Sequence, residues 1–289
     1  MANEDYDYED YAQYVPQAPQ KRYESAIPLL LLVIVILIVG WRLNVFSNIP
    51  VISSTIGAGG PSNILIVGQD NRLINTLASI KDELATNYDV IDEQALNEVR
   101  DPGYLRNYDL VILTESLSDD ATLLPSLFRS YLVTYLNGNG KLMLYGVAAS
   151  RDPDEPSSDG WKQHDISKYI PVTCSGGQGL CDPDESKEFA DPQETVSLKS
   201  KDIESPILKE FGTSVRFTTR DFVEFTLVNP RGSGKTLSLL EIERGGRTFS
   251  YDAIVEQPGL TGPKTIYFSY HPSLTPTVFK NTLKYMFGL

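Results

Sequence analysis

The chain has 289 residues and a formal net charge of −13 at pH 7, with a sequence pI near 4.6. A nucleic-acid partner would require a basic patch, so this charge balance excludes nucleic-acid binding as the expected function. The sequence contains only two histidines and two cysteines. A structural zinc site takes four such ligands, and we expect neither a metal ion nor a cofactor.

The N-terminal part of the chain predicts a tail followed by a membrane anchor. Residues 1–25 are acidic, rich in tyrosine and almost free of aliphatic side chains, so we predict a disordered tail that acts as a solvated spacer or as a cytoplasmic docking strip. The run AIPLLLLVIVILIVGW and the residues after it form an apolar segment over 26–46. A spanning helix needs about 20 residues, so we predict a transmembrane helix held by membrane lipid. The alternative is a cleaved signal peptide, which the long acidic n-region and the lack of an A-x-A site disfavour.

Two features predict the side of the membrane on which the rest of the chain lies. Lys21 and Arg22 precede the span and only Arg42 follows it closely, which favours a cytoplasmic N-terminus. Cys174 and Cys181 flank a glycine-rich loop, CSGGQGLC, which closes easily into a disulfide of the kind that persists in oxidising compartments. The alternative is two free thiols. We therefore predict a single-pass protein of the cell membrane with its N-terminus in the cytoplasm and its domain outside.

After a flexible linker over 47–62, residues 63–289 are expected to form one α/β domain. In its first part, continuous apolar strands alternate with amphipathic helices, a pattern typical of a parallel sheet that is covered on both faces. The predicted elements of this part are strands at 63–68, 88–91, 108–114 and 141–146 and helices at 72–86 and 121–136.

The second part of the domain has a different pattern. Residues 148–193 are rich in Pro, Gly, Asp and Ser and are expected to form loops. Further on, strands separated by Pro or Gly turns predict an antiparallel annex, which a last strand and a helix follow. The predicted elements are strands at 215–218, 222–228, 236–243, 248–255 and 264–270 and a helix at 275–287.

The segments NILIVG, YDLVILT, GNGKLMLYGVAAS and KTIYFSYHPSLTPTVFKNTLKYMFG, in this order, resemble the class I glutamine amidotransferase-like superfamily. The resemblance is strongest to the ThuA-like and other non-catalytic branches, and it covers most of 63–289. It implies a flavodoxin-like sheet whose ligand site lies at the carboxyl ends of the strands. The expected fold is therefore a flavodoxin-like parallel sheet with helices on both faces and a β-rich C-terminal annex, preceded by one transmembrane helix.

The resemblance also shows which catalytic groups are missing. Amidotransferases of this superfamily use a cysteine at a sharp strand-to-helix turn, assisted by a histidine from a late His-Pro-Glu sequence. The corresponding turn here is GVAAS at 146–150, which has no cysteine, and Ser150 lies two or three positions too late. His271 matches the family histidine, but Ser273 replaces the glutamate. We therefore expect no catalytic residue.

A vestigial pocket is still expected at this edge of the sheet. Asp70 and Arg72 follow the first strand and open a helix, where an anion could bind or Asp70 could serve as the N-cap. We group these two residues with His271 and Ser150 as the candidate pocket.

The expected function is that of a non-catalytic extracytoplasmic binding or scaffold domain, an accessory subunit of a membrane or cell-envelope complex. Its expected partners are other proteins, with a carbohydrate as a further candidate. The alternative is an envelope hydrolase or sugar-processing enzyme that uses His271 with loop carboxylates. An enzyme should bring His271 together with carboxylates or a hydroxyl in a deep cleft, whereas a binding module should show an apolar or aromatic patch outside that cleft.

Overall fold

A computed structural model describes residues 32, 61–115, 124–150, 161, 165–175, 181, 186–201, 205–217, 221–259 and 263–289. Residues 54–289 form one compact unit, and its fold is described below. Within the described residues, no helix is both long and apolar enough to cross a membrane. The predicted tail, nearly all of the predicted span and most of the linker lie outside these residues, so the membrane anchor stays a prediction.

The first part of the domain alternates strands and helices, as the sequence predicts. Its strands are apolar and buried where they form the centre of the sheet, and the helices connect them. The elements are β1 (Ser62–Val67), α1 (Asn71–Leu84), β2 (Thr86–Ile91), α2 (Glu93–Leu96), β3 (Leu110–Leu113), α3 (Ser126–Asn137) and β4 (Leu142–Tyr145).

Helix α1 shows how local sequence sets these boundaries. Asp70 is its N-cap, because the carboxylate oxygen Oδ1 accepts the backbone N–H groups of Arg72 at 2.9 Å and Leu73 at 3.0 Å. The helix ends at Ala85, which adopts the left-handed conformation with φ +47°. Its apolar residues recur at helical spacing and are buried: Leu73, Leu77, Ile80 and Leu84.

The second part of the domain consists mainly of strands. The sequence prediction missed the first three of them, two of which lie in the stretch 148–193 that was predicted to form loops. The elements are β5 (Val172–Cys174), β6 (Lys187–Ala190), β7 (Thr195–Ser200), β8 (Ser214–Arg216), β9 (Val223–Thr226), β10 (Val228–Pro230), β11 (Lys235–Arg244), β12 (Arg247–Pro258), β13 (Pro263–Phe268) and α4 (Pro276–Phe287).

The main sheet has nine strands in the order β2-β1-β3-β4-β13-β12-β11-β7-β8. The strands from β2 to β13 are parallel, and those from β13 to β8 pair antiparallel. The predicted β-rich C-terminal annex is therefore present, and the main sheet is mixed and not wholly parallel. The antiparallel strands continue the same sheet, because β12 pairs with β13 along its edge. The fold is α/β with one large mixed sheet.

The hydrophobic core lies on both faces of this sheet. Alternate residues of β1 point to opposite faces, with Ile64 and Ile66 on one side and Leu65 and Val67 on the other. The first face packs against α1 and α4, and the second packs against α3. Helices therefore cover both faces of the parallel half, as predicted.

Strands β6 and β9 form a small antiparallel ribbon over the antiparallel half of the main sheet. Its inner face packs through Phe225, whose ring lies 5.0 Å from that of Tyr251 on β12. The ribbon also touches the carboxyl end of β13, because the backbone N–H of Thr226 donates to the carbonyl of Ser269 at 2.6 Å. We call this element the β6–β9 ribbon.

A second short pair joins β5 to β10, and the disulfide lies beside it. Cys174, the last residue of β5, is bonded to Cys181, and the two Cα atoms are 5.1 Å apart. Both cysteines are buried. The predicted Cys174–Cys181 disulfide is therefore confirmed.

Candidate functional site

A cluster of polar side chains lies at the carboxyl edge of the parallel strands. Asp70 follows β1, Glu115 follows β3, Tyr145 ends β4 and His271 follows β13. The strands β1, β3, β4 and β13 are consecutive and parallel in the sheet, so their carboxyl ends bring the four side chains together. This is the edge at which open α/β sheets generally bind ligands.

His271 uses both of its ring nitrogens inside the protein. Nε2 lies 2.6 Å from Oδ2 of Asp70, and Nδ1 lies 2.6 Å from the hydroxyl oxygen of Ser273. The backbone N–H of Ser273 also donates to Nδ1, at 3.2 Å. Since Nδ1 accepts that hydrogen bond, the ring proton is on Nε2, and the Nε2–H group donates a hydrogen bond to Asp70. The imidazole thus caps the short 3₁₀ turn Pro272–Leu274.

Asp70 is the buried centre of this cluster, with its side chain only 1% exposed. Oδ1 caps α1, while Oδ2 receives hydrogen bonds from His271 and from the hydroxyl of Tyr145. Burial favours the neutral acid, but the hydrogen bonds that Asp70 accepts from His271, the Tyr145 hydroxyl and the Leu73 N–H outweigh burial and lower the pKa of Asp70 to about 2. Asp70 is therefore an ionised, fully engaged structural carboxylate.

Glu115 forms a second charged group beside the first. Its Oε1 lies 2.8 Å from the ammonium of Lys187 on the β6–β9 ribbon, and Lys187 also contacts Glu224 of the same ribbon at 2.6 Å. Burial raises the pKa of Glu115, while Lys187 and a backbone hydrogen bond from Val147 oppose this increase. The ion pair therefore joins the ribbon to the carboxyl edge of the parallel strands.

The turn after β4 begins at Gly146. Gly146 has φ +58°, a conformation that side chains of L-residues rarely adopt. A Cβ at this position would overlap the Oε2 atom of Glu115. The turn is held from the other side by Tyr267, whose hydroxyl donates to the Gly146 carbonyl at 3.0 Å, and by Trp161, whose indole N–H donates to the Ala148 carbonyl at 2.9 Å. The carboxylate of Glu115 thus occupies the space that a side chain at position 146 would need.

The four residues that were predicted to share a pocket have different positions. Asp70 and His271 are in direct contact, as grouped. Arg72 contributes only its backbone N–H to the cluster, and its side chain is exposed. Ser150 is buried, and the hydrogen bonds of Asp70 and His271 go to other residues.

The sequence analysis missed Glu115, Tyr145, Lys187 and Glu224. Glu115 and Tyr145 stand at the ends of predicted strands, which is the one signal that could have placed them at this edge. Within the described ranges, no group of His, Cys, Asp and Glu side chains is arranged to hold a metal ion.

No protein-family model matches the chain, and no curated protein matches it. Solved structures do match it. A cold-adapted β-galactosidase from Rahnella sp. R3 has 10% identity and a TM-score of 0.51, over 78% of this chain and 31% of that one. The likeness is one of fold. This chain spans less than a third of the length of the β-galactosidase.

The similar solved structures also include glutamine amidotransferase-like class I chains. A putative GMP synthase component from Thermoplasma acidophilum has 11% identity and a TM-score of 0.43, over 78% of this chain and 94% of that one. A glutamine amidotransferase from Thermotoga maritima has 10% identity and a TM-score of 0.40, over 77% and 81% of the two chains.

Proposed function

We propose that the domain is a non-catalytic binding or scaffold domain, and that it serves as an accessory subunit of a membrane or cell-envelope complex. One observation carries this proposal. The turn over 146–150, which corresponds to the amidotransferase nucleophile turn, has no cysteine, and Glu115 occupies the space that a side chain at Gly146 would need.

The chemistry of acyl transfer explains why this observation matters. Transfer from glutamine needs a nucleophile on the turn and a base that can take its proton. His271 could serve as a base only through a free ring nitrogen, and both of its nitrogens are engaged by Asp70 and Ser273. General-base assistance increases a reaction rate by about 10²–10⁴-fold, and it cannot replace the covalent step.

The outer face of the β6–β9 ribbon supports a binding role. Phe189 and Glu224 share one face of the ribbon because they pair across the two strands. Phe189 is 52% exposed, and Phe222, which directly precedes β9, is 60% exposed. Exposed aromatic groups of this kind mark interaction sites.

The hydrolase alternative would use His271 with loop carboxylates, but the His271 ring is engaged on both sides, by Asp70 at Nε2 and by the hydroxyl of Ser273 at Nδ1, each at 2.6 Å. The backbone N–H of Ser273 also donates to Nδ1, which is the arrangement of a turn cap and not of a base presented to substrate. We therefore favour the binding role.

The proposal includes the predicted membrane anchor over 26–46 and an extracytoplasmic position for the domain. The Cys174–Cys181 disulfide supports this location, because disulfides persist in oxidising compartments.

The test is recovery of native partners by affinity purification of the full chain from detergent-solubilised membranes. Phe189→Ser combined with Phe222→Ser should abolish recovery of proteins that the wild type retains. Phe249→Ser is the matched control, because Phe249 is an exposed phenylalanine (40%) on the β11–β12 hairpin, outside the ribbon face. Equal recovery by the ribbon variant, or glutaminase activity of the purified chain that His271→Ala removes, would contradict the proposal.

A further inference from the structure

The amino edge of the sheet, opposite to the cluster around Asp70, carries a groove. It consists of two adjoining depressions of about 740 Å³ and about 520 Å³, which share Tyr108 in their walls. Each volume is within the range of small-molecule sites, and together they suit an elongated ligand. The groove passes the start of β1 at Ser62 and Asn63 and the start of β2 at Thr86.

The first depression is lined by amide and phenol groups. Asn63, Asn87 and Asn107 contribute carboxamides, and Tyr88 and Tyr108 contribute half-buried rings. Among the described residues, the side-chain amide of Asn87 and the carbonyl oxygen of the Asn63 side chain have no hydrogen-bond partner. Carboxamides both donate and accept hydrogen bonds, so these groups can pair with a ligand hydroxyl that acts as a donor or as an acceptor.

Tyr108 is held in place from two sides. Its hydroxyl donates to Oδ2 of Asp89 at 2.9 Å, and its ring packs against Tyr104 with centroids 5.6 Å apart. A rigid ring with a polar tip can cover the C–H face of a ligand without losing much conformational entropy.

The second depression extends the same chemistry beyond Tyr108. It is lined by the turn that contains Asn139 and by the side chains of Tyr135 and Lys141, among others. The ammonium of Lys141 donates to the carbonyl of Met286, and burial lowers its pKa. Asp109 accepts the backbone N–H of Asn63 at 2.9 Å. The walls also include Lys81 and Arg106, which are exposed, and Asp89, which accepts the hydroxyl of Tyr108. Basic and acidic groups thus nearly balance in the groove, which offers little net charge to a polyanion.

We infer that this groove binds a neutral, linear oligosaccharide. Sugar rings present ordered hydroxyls, which carboxamides and carboxylates pair with, and apolar C–H faces, which tyrosine rings cover. The predominantly polar wall disfavours an apolar ligand, and the near balance of basic and acidic groups disfavours a polyanion. The site is independent of the β6–β9 ribbon, so the domain can hold a glycan and a protein partner through different surfaces.

The test uses the full chain purified in an amine-oxide detergent, because a maltoside headgroup would itself be a candidate ligand. Cello-, malto-, xylo-, manno- and chito-hexaose are titrated separately at up to millimolar concentrations by isothermal calorimetry. At least one should bind, and Asn87→Ala and Asn107→Ala should each weaken that binding about tenfold, a loss of about 1.4 kcal/mol.

Asn71→Ala is the matched control, because Asn71 is an exposed asparagine at the opposite edge of the sheet, and it should leave the affinity unchanged. Phe189→Ser with Phe222→Ser should also leave it unchanged, which separates this inference from the proposed protein partner. Failure of all the hexasaccharides to bind, or binding that both groove variants retain in full, would overturn the inference.

Discussion

The contact between Gly146 and Glu115 is tested most directly by a double-mutant cycle between the two positions. Gly146→Ala places a methyl group in a left-handed conformation, φ +58°, which costs about 1–2 kcal/mol. The same methyl group overlaps Oε2 of Glu115, so the carboxylate must move away from Lys187, 2.8 Å from its other oxygen. Disturbing a hydrogen bond to a charged group costs about 1.5–3 kcal/mol. The whole change should therefore destabilise the chain by about 3–5 kcal/mol.

In a Glu115→Ala background the obstacle is gone, and Gly146→Ala should cost only the backbone part, about 1–2 kcal/mol. The coupling free energy between the two positions is then about 2–3 kcal/mol, which a cycle resolves. The assay is urea unfolding of the four full-length chains in detergent, followed by near-ultraviolet circular dichroism.

Gly232→Ala provides the matched control for backbone strain. Gly232 has the same φ as Gly146, +58°, but nothing lies within 4 Å of a Cβ built on it. Its substitution should cost about 1–2 kcal/mol with or without Glu115. If Gly146→Ala is no more destabilising than Gly232→Ala, or if its cost is the same in the Glu115→Ala background, then Glu115 does not occupy the space beside Gly146.

Three further predictions concern Asp70, the disulfide and the membrane topology. Because the pKa of Asp70 is lowered from 3.8 to about 2, its stabilisation is present above pH ~4 and is lost as the pH falls through about 2. Urea unfolding over this interval should show a loss of about 2 kcal/mol that Asp70→Asn lacks. Cys174 and Cys181 should resist alkylation until the protein is reduced, and modification without reductant would exclude the disulfide in the native protein. Protease added to intact cells should remove residues 63–289, whereas a protected domain would reverse the proposed topology.

The sequence predicts the parallel half of the fold well, because its signals are local. A continuous apolar strand, a capping aspartate and an apolar stripe at helical spacing place β1 and α1 within a few residues. Strands β5 and β6 have only three and four residues, in a stretch rich in turn-forming residues, and their partners β10 and β9 lie far along the chain. Such pairing is a tertiary property that no local pattern contains.

The predicted strand over 222–228 shows the same limit in another form. It is divided at Leu227 into β9 and β10, which pair with different partners. Likewise, nothing in the local sequence shows that β12 pairs with β13 and so joins the predicted annex to the main sheet.

The candidate site was partly predictable for a related reason. Asp70 and His271 each follow a strand that is easy to identify, so their meeting at one edge follows from the topology. Glu115 also follows a strand, but in sequence it is indistinguishable from an ordinary loop acid. Its role depends on the absent side chain of Gly146 and on Lys187 from the ribbon, and only packing reveals this combination.

The position of β13 has a consequence for how the domain is made. This strand is the fifth of nine in the main sheet, yet it comes after all the other strands in the chain. During synthesis the two halves of the sheet can form separately, but neither can join the other until residues 263–268 have left the ribosome. The segment over 146–262 must then close as a loop between β4 and β13, a long-range step that is slow by its nature. A ribosome-bound chain that stops before β13 should therefore expose two unpaired strand edges at the future centre of the sheet, which is where chaperones would be needed.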